Sequence, residues 1–192
     1  QVIDRPALDQ QETPMNLLVL VGSTHVGGFN DRLADLAVRD LPSDVEVTRF
    51  DLATLPFYDE VADTEGRLGP QVDAYRDAVA QADAILFTSP AYNGTMPAVA
   101  KNAIDVASRP RGAAPIVDKP VLIATATYSP GADDRVLEHA KVAFTIAGAK
   151  PMEQGFGISK HFEAFDESGL VDKDRERELH ALVADLLAPV TV

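Results

Sequence analysis

Ser89-Pro90-Ala91-Tyr92-Asn93-Gly94-Thr95-Met96-Pro97 runs straight into Ala98-Val99-Ala100-Lys101-Asn102-Ala103-Ile104-Asp105, and its reading decides the fold. An apolar run, Ala84-Ile85-Leu86-Phe87-Thr88, precedes it and has the pattern of a buried strand. Val99, Ala100, Ala103, Ile104 and Ala107 then fall at helical spacing. A strand therefore stops, a loop punctuated by Pro and Gly turns over its end, and a helix starts near Pro97. Pro suits a first helical turn, where its missing N–H had no partner anyway. In open α/β sheets, ligands sit just beyond the carboxyl ends of the strands. An aromatic, an amide and a Gly in that place suit a flat ligand with polar edges, and Gly94 lets the backbone approach it closely. Loop shape alone is equally consistent with an ordinary strand–helix connection whose Tyr92 covers the core.

The same unit recurs along the chain. Asn16 to Val21, apolar from Leu17 on, has the pattern expected of a strand buried on both faces. It ends in Gly22-Ser23-Thr24-His25-Val26-Gly27-Gly28-Phe29-Asn30, after which Leu33, Leu36, Ala37 and Leu41 repeat at helical spacing. Strand, Gly/Ser loop and helix form a phosphate cradle in principle, because the first N–H groups and the positive dipole end of a helix favour an anion. The Gly spacing fits neither a Walker A loop nor G-x-G-x-x-G. A second strand is expected at 45–50, a loop at 51–63, a helix at 72–82, a fourth strand at 120–125 and a helix over 136–147. A short fifth strand is expected near 150–156, and a last amphipathic helix carries Leu179, Leu182, Val183, Leu186 and Leu187, with Asp172 near its start. Ala126 to Gly131 is a third loop at the same sheet edge. The βα alternation argues for a parallel, doubly wound α/β sheet. Five strands favour the flavodoxin-like order 2-1-3-4-5, in which FMN lies across the ends of the first and third strands. Residues 1–14 are expected to form an N-terminal extension, and 15–192 a single domain.

Composition narrows the classes. Thirty acidic against 17 basic residues give a net charge of −13, which argues against a nucleic-acid backbone or an anionic membrane as partner. The absence of Cys excludes disulfides, thiolate metal sites and a Cys nucleophile, and makes the cytoplasm the expected compartment. His139, His161 and His180 show no shared ligand spacing, so no metal site is expected.

Gly22-Ser23 with Phe29-Asn30, the Tyr-Asn-Gly-x-x-Pro loop, Lys101 to Asp105 and Phe162-Glu163-Ala164-Phe165-Asp166 together resemble the NAD(P)H-dependent FMN reductase family, from about Met15 onward. That family includes flavin, quinone, chromate and azo-dye reductases. The resemblance implies FMN as cofactor and NAD(P)H as co-substrate. It implies that Ser23, His25, Gly27, Gly28, Phe29 and Asn30 surround the FMN phosphate. Pro90, Ala91, Tyr92, Asn93 and Gly94 would line the isoalloxazine ring. Thr127, Tyr128, Ser129 and Gly131 would close the other side. It also implies a homodimer or homotetramer with the flavin near a subunit interface. The chain departs from the family where Arg is replaced by His25, Ser by Gly28 and Glu by Ala91. His25 carries positive charge only when protonated. Asp133-Asp134 stands where the family tends to carry more Gly.

No catalytic side chain is expected, because a flavin itself carries hydride chemistry. The expected sequence is reduction by NAD(P)H, departure of the nicotinamide, then entry of a flavin, quinone or similar acceptor. Two readings compete: a flavodoxin-type electron carrier, and a flavin-binding module without turnover.

Overall fold

Leu17, Leu18, Val19 and Leu20 are all buried, so β1 (Met15–Val21) has to be covered on both faces. The computed structural model describes residues 14–188 and places β1 inside a parallel sheet. The expected extension over 1–14 falls, but for Pro14, outside the described residues. α1 (Phe29–Val38) follows, then β2 (Val45–Phe50), a 3-10 turn at Leu52–Thr54, α2 (Glu60–Thr64) and α3 (Pro70–Gln81). β3 (Ala84–Thr88) leads to α4 (Ala98–Ala107), and β4 (Pro120–Ala126) to α5 (Ala132–Ala147). The chain continues through β5 (Lys150–Pro151), β6 (Phe156–Ile158), α6 (His161–Ala164), β7 (Phe165–Asp166), β8 (Gly169–Leu170) and α7 (Lys173–Leu187).

The sheet order is β2-β1-β3-β4-β5, with β6 also pairing with β4. This is the flavodoxin-like order expected from the βα alternation. The fifth position is filled by two short pieces rather than one strand. Pro151 has no N–H to continue the ladder. Gly155 then squeezes past α5: a Cβ there would meet Leu137 Cδ2 at 2.8 Å and Ile123 O at 3.0 Å. Two other elements lie where the sequence shows only loop: α2, which begins within 51–63, and the β7–β8 hairpin before α7.

Strand alternation divides the core in two. Leu18, Leu20, Ile85, Phe87, Val121 and Ile123 face α3, α4 and α5. Leu17, Val19, Leu86, Leu122 and Ala124 face α1 and α7. Phe87 meets Phe144 edge-on at 5.0 Å, fixing α5 to the sheet. Asp172 caps α7 by accepting from the N–H groups of Asp174 and Arg175. Gly148, at φ 96°, ends α5 as its sequence position predicts.

The long β2–α3 connection is held by two clamps. Asn102 on α4 accepts from the Tyr58 N–H at 2.8 Å and donates to Pro56 O at 2.9 Å. Arg76 makes two 2.8 Å bonds to Asp63, and both side chains are largely buried. The hydrogen bond from Arg76 holds the Asp63 carboxyl below its ordinary pKa, against burial that pushes it up. A carboxyl lowered on folding adds stability above its unfolded pKa of about 3.9, and loses it as pH falls through the folded value. Asp63→Asn should therefore lower the urea midpoint at pH 6. It should also flatten the fall in stability below about pH 4. An unchanged acid limb would contradict this role.

Candidate functional site

β1, β3 and β4 are neighbours and parallel, so their carboxyl ends share one edge of the sheet. Three loops leave that edge, and they touch. The Gly22 N–H donates to Thr88 O at 2.6 Å, and a Cβ on Gly22 would lie 2.8 Å from Ala100 Cβ and 3.3 Å from Ser89 Cβ. Glycine is required there because the first loop passes directly against α4. The Thr125 hydroxyl donates to Ser89 O at 2.6 Å, tying the second loop to β4.

Asn30 completes the junction, in a way that its position in the Gly/Ser loop does not reveal. Its amide is buried and pairs twice with the Ala126 backbone, donating to O and accepting from N at 2.9 Å each. Its own carbonyl accepts from the Thr88 hydroxyl at 3.0 Å. The Asn30 side chain is thus committed to the scaffold, and what it offers the loop is its main-chain N–H. Phe29 likewise turns away, stacking on His161 at 4.0 Å and lying near Phe165 at 5.6 Å.

The first loop presents donors. The Ser23 hydroxyl accepts from the His25 N–H at 3.1 Å and keeps its own proton free to donate. Gly27 takes φ 73°, and an added Cβ would meet nothing within 4 Å, so there is room beside the backbone, although the Gly27 N–H itself donates to Asp31 Oδ2 at 2.8 Å. Gly28 is the N-cap of α1, and its N–H bonds back to His25 O at 3.1 Å. The N–H groups of the first turn of α1 have no intrahelical acceptor. His25 itself is exposed.

The second loop is a two-residue hairpin. Tyr92 and Thr95 exchange both backbone bonds, at 2.8 and 3.2 Å, with Asn93 at φ 52° and Gly94 at φ 86° between them. Positive φ at both central positions is the primed turn that Asn-Gly favours. Asn93 therefore shapes the hairpin, while Tyr92 is 52% exposed beside it. Thr95 Oγ1 lies 2.9 Å from His139 Nδ1, which anchors the hairpin to α5. Pro90 and Ala91 are half-buried at its base.

The third loop is seated on β6. Thr127 is buried, its N–H bonds to Ile158 O at 2.8 Å, and its carbonyl accepts from the His161 N–H at 3.0 Å. Tyr128 is 70% exposed and lies 5.1 Å from the Phe162 ring. Ser129 is exposed and Gly131 adopts φ 69° at the head of α5. His161 was not singled out from the sequence. Its Nδ1 is buried without a partner, and burial holds its pKa below the ordinary value. No signal short of the Phe29 contact would have found it.

A groove of 910 Å³ runs between α4 and α5 and begins at Thr95, Met96 and His139. It lies beside the three-loop junction, not within it. Chemically, the junction offers N–H and hydroxyl donors in its first loop and exposed aromatic rings on the other two. Among the described residues no cluster of His, Asp or Glu could hold a metal ion. Asn30→Ala should strand the Ala126 N–H and carbonyl in the interior, costing about 2–4 kcal/mol by urea denaturation. A loss under ~0.5 kcal/mol would show that the amide pair contributes little.

A sequence profile of the NADPH-dependent FMN reductase family matches residues 15–163. The NAD(P)H-dependent FMN reductase of Pseudomonas aeruginosa is 31% identical over 166 residues, covering 86% of this chain and 89% of that one. The quinone reductase of Escherichia coli is 30% identical over 141 residues, covering 73% and 74%. Among solved structures, the flavoenzyme NAD(P)H:(acceptor) oxidoreductase FerB of Paracoccus denitrificans superposes with a TM-score of 0.75 at 25% identity, covering 90% and 94%. With its three strand-end loops joined at one edge, the chain belongs to the NADPH-dependent FMN reductase family.

Proposed function

We propose that the chain is an FMN-dependent oxidoreductase that takes reducing equivalents from NAD(P)H and delivers them to a quinone, a flavin or a similar acceptor. The observation that carries this reading is the donor-rich junction of the β1, β3 and β4 loops. The residues present fit FMN. Room beside the Gly27 backbone, a free Ser23 proton and the unpaired N–H groups of α1 suit its phosphate. The main chain of Pro90 to Gly94 suits the polar edge of its ring. Bound there, FMN would supply the hydride acceptor and donor.

The chain's own work is then to bind, orient and exclude water. The Tyr92–Thr95 hairpin, fixed at both central residues, holds its N–H groups in place before the ligand arrives, so little reorganisation remains. Tyr128 and Ser129, on the exposed third loop, cover the other side, with Thr127 and Gly131 setting that loop's path. His25 faces solvent, where a protonated ring would support the phosphate. No side-chain acid or base is assigned.

We read the protein as cytoplasmic and as a homodimer or homotetramer. Among the described residues no helix is long and apolar enough to cross a membrane. The α4–α5 groove supports self-association: Val142 and Ile146, the latter 82% exposed, line it as an apolar strip. A partner seated there would abut the Tyr92–Thr95 hairpin. Ile146→Glu should shift the light-scattering mass toward the monomer; an unchanged mass would place the interface elsewhere.

Anaerobic addition of NADH or NADPH to the FMN-loaded protein tests the activity. The flavin absorbance should bleach without a partner reductase and return on adding a quinone. No bleaching with either nucleotide would contradict the reading.

A further inference from the structure

The phosphate cradle of this chain contains an acid. Asp31 is the third residue of α1, and its Oδ2 accepts the Gly27 N–H at 2.8 Å. That N–H belongs to the open, positive-φ turn that the proposed FMN site would turn toward a phosphate. Resting on that reading, we propose that Asp31, opposed by Arg49 of β2, sets how strongly the site prefers a phosphorylated flavin over the same flavin without phosphate.

The surrounding charges leave Asp31 only partly balanced. Arg49 is shared between two carboxylates of α1, at 3.4 Å from Asp31 and 2.5 Å from Asp35. It sits nearer the one that is further from the cradle. Arg32, the other cation in this part of α1, is turned away. Its guanidinium lies 5.4 Å from the Phe29 ring centre and 5.0 Å from that of Phe165, and it donates to Asp166 O. His25 contributes a full charge only when protonated. Two carboxylates therefore stand against one shared guanidinium beside a site meant for an anion.

A phosphate monoester carries between −1.5 and −2 charges at neutral pH. Asp31 acts against it twice, by repelling that charge and by occupying a main-chain donor. Neither effect touches a ligand that ends in a hydroxyl. Asp31 thus lowers affinity for FMN while leaving riboflavin almost unaffected. The consequence is a site from which FMN leaves readily and in which phosphate contributes little to selection.

The test is equilibrium binding to flavin-stripped protein, followed by quenching of flavin fluorescence, with FMN and riboflavin as the two probes. Asp31→Asn keeps an acceptor for the Gly27 N–H but removes the charge. It should raise the ratio of FMN to riboflavin affinity by about tenfold, almost wholly through FMN. Arg49→Met, on an exposed strand, removes the cation that opposes Asp31 and should lower that ratio several-fold. A ratio within twofold of the unmodified protein in both variants overturns the proposal, as does tighter FMN binding by Arg49→Met. If the unmodified protein binds neither flavin, the flavin site itself is refuted and this proposal with it. Binding of both flavins with an unmoved ratio refutes the role of Asp31 alone.

Discussion

A single buried amide holds the working edge of this molecule together. Asn30 reaches from the first turn of α1 to both backbone atoms of Ala126 at the end of β4, while its carbonyl takes the Thr88 hydroxyl at the end of β3. Where a parallel sheet runs out, its last N–H and C=O groups lose their ladder partners, and a buried unpaired group is costly. Asn is suited to this place because it carries a donor and an acceptor side by side. The pairing also fixes the N-terminus of α1 over the sheet. The donors of the first loop are thereby set beside the second and third loops.

Each loop then has its own local lock. Gly22 allows the first to lie against Ala100. The Asn93-Gly94 turn closes the second on itself, and His139 ties it to α5. β6 holds the third through Thr127. These locks use the main chain and a few scaffold side chains, so the groups left for a ligand are N–H donors, hydroxyls and exposed rings. That inventory suits a cofactor that brings its own reactivity. The protein's share is to place it.

Much of this was legible in the sequence, for identifiable reasons. The strands read as apolar runs because a parallel sheet is covered on both faces. Alternation with helices then gave the order 2-1-3-4-5. Asn93-Gly94 reads only as part of a loop from the sequence, and its tight turn with two positive φ values is seen in the structure. Other features depended on contacts that no spacing encodes. Asn30 looks like a phosphate donor until Ala126, 96 positions away, is seen to need both its atoms. Asn102 enters the sequence reading only within the Lys101 to Asp105 motif, yet it clamps the Pro56–Tyr58 segment. The split of the fifth strand depends on Gly155 meeting Leu137, and the β7–β8 hairpin is too short to show a period. No spacing marks Asp31, and only the Gly27 contact gives it a meaning.

The most direct measurement is a titration of isotopically labelled protein with FMN, followed by amide chemical shifts. If the three loops form one flavin site, the amides of Ser23 to Asn30, Pro90 to Gly94 (Pro90 excepted, having none) and Thr127 to Gly131 move together with a single dissociation constant. Shifts confined to one loop, or centred on the α4–α5 groove with these amides unmoved, would contradict it.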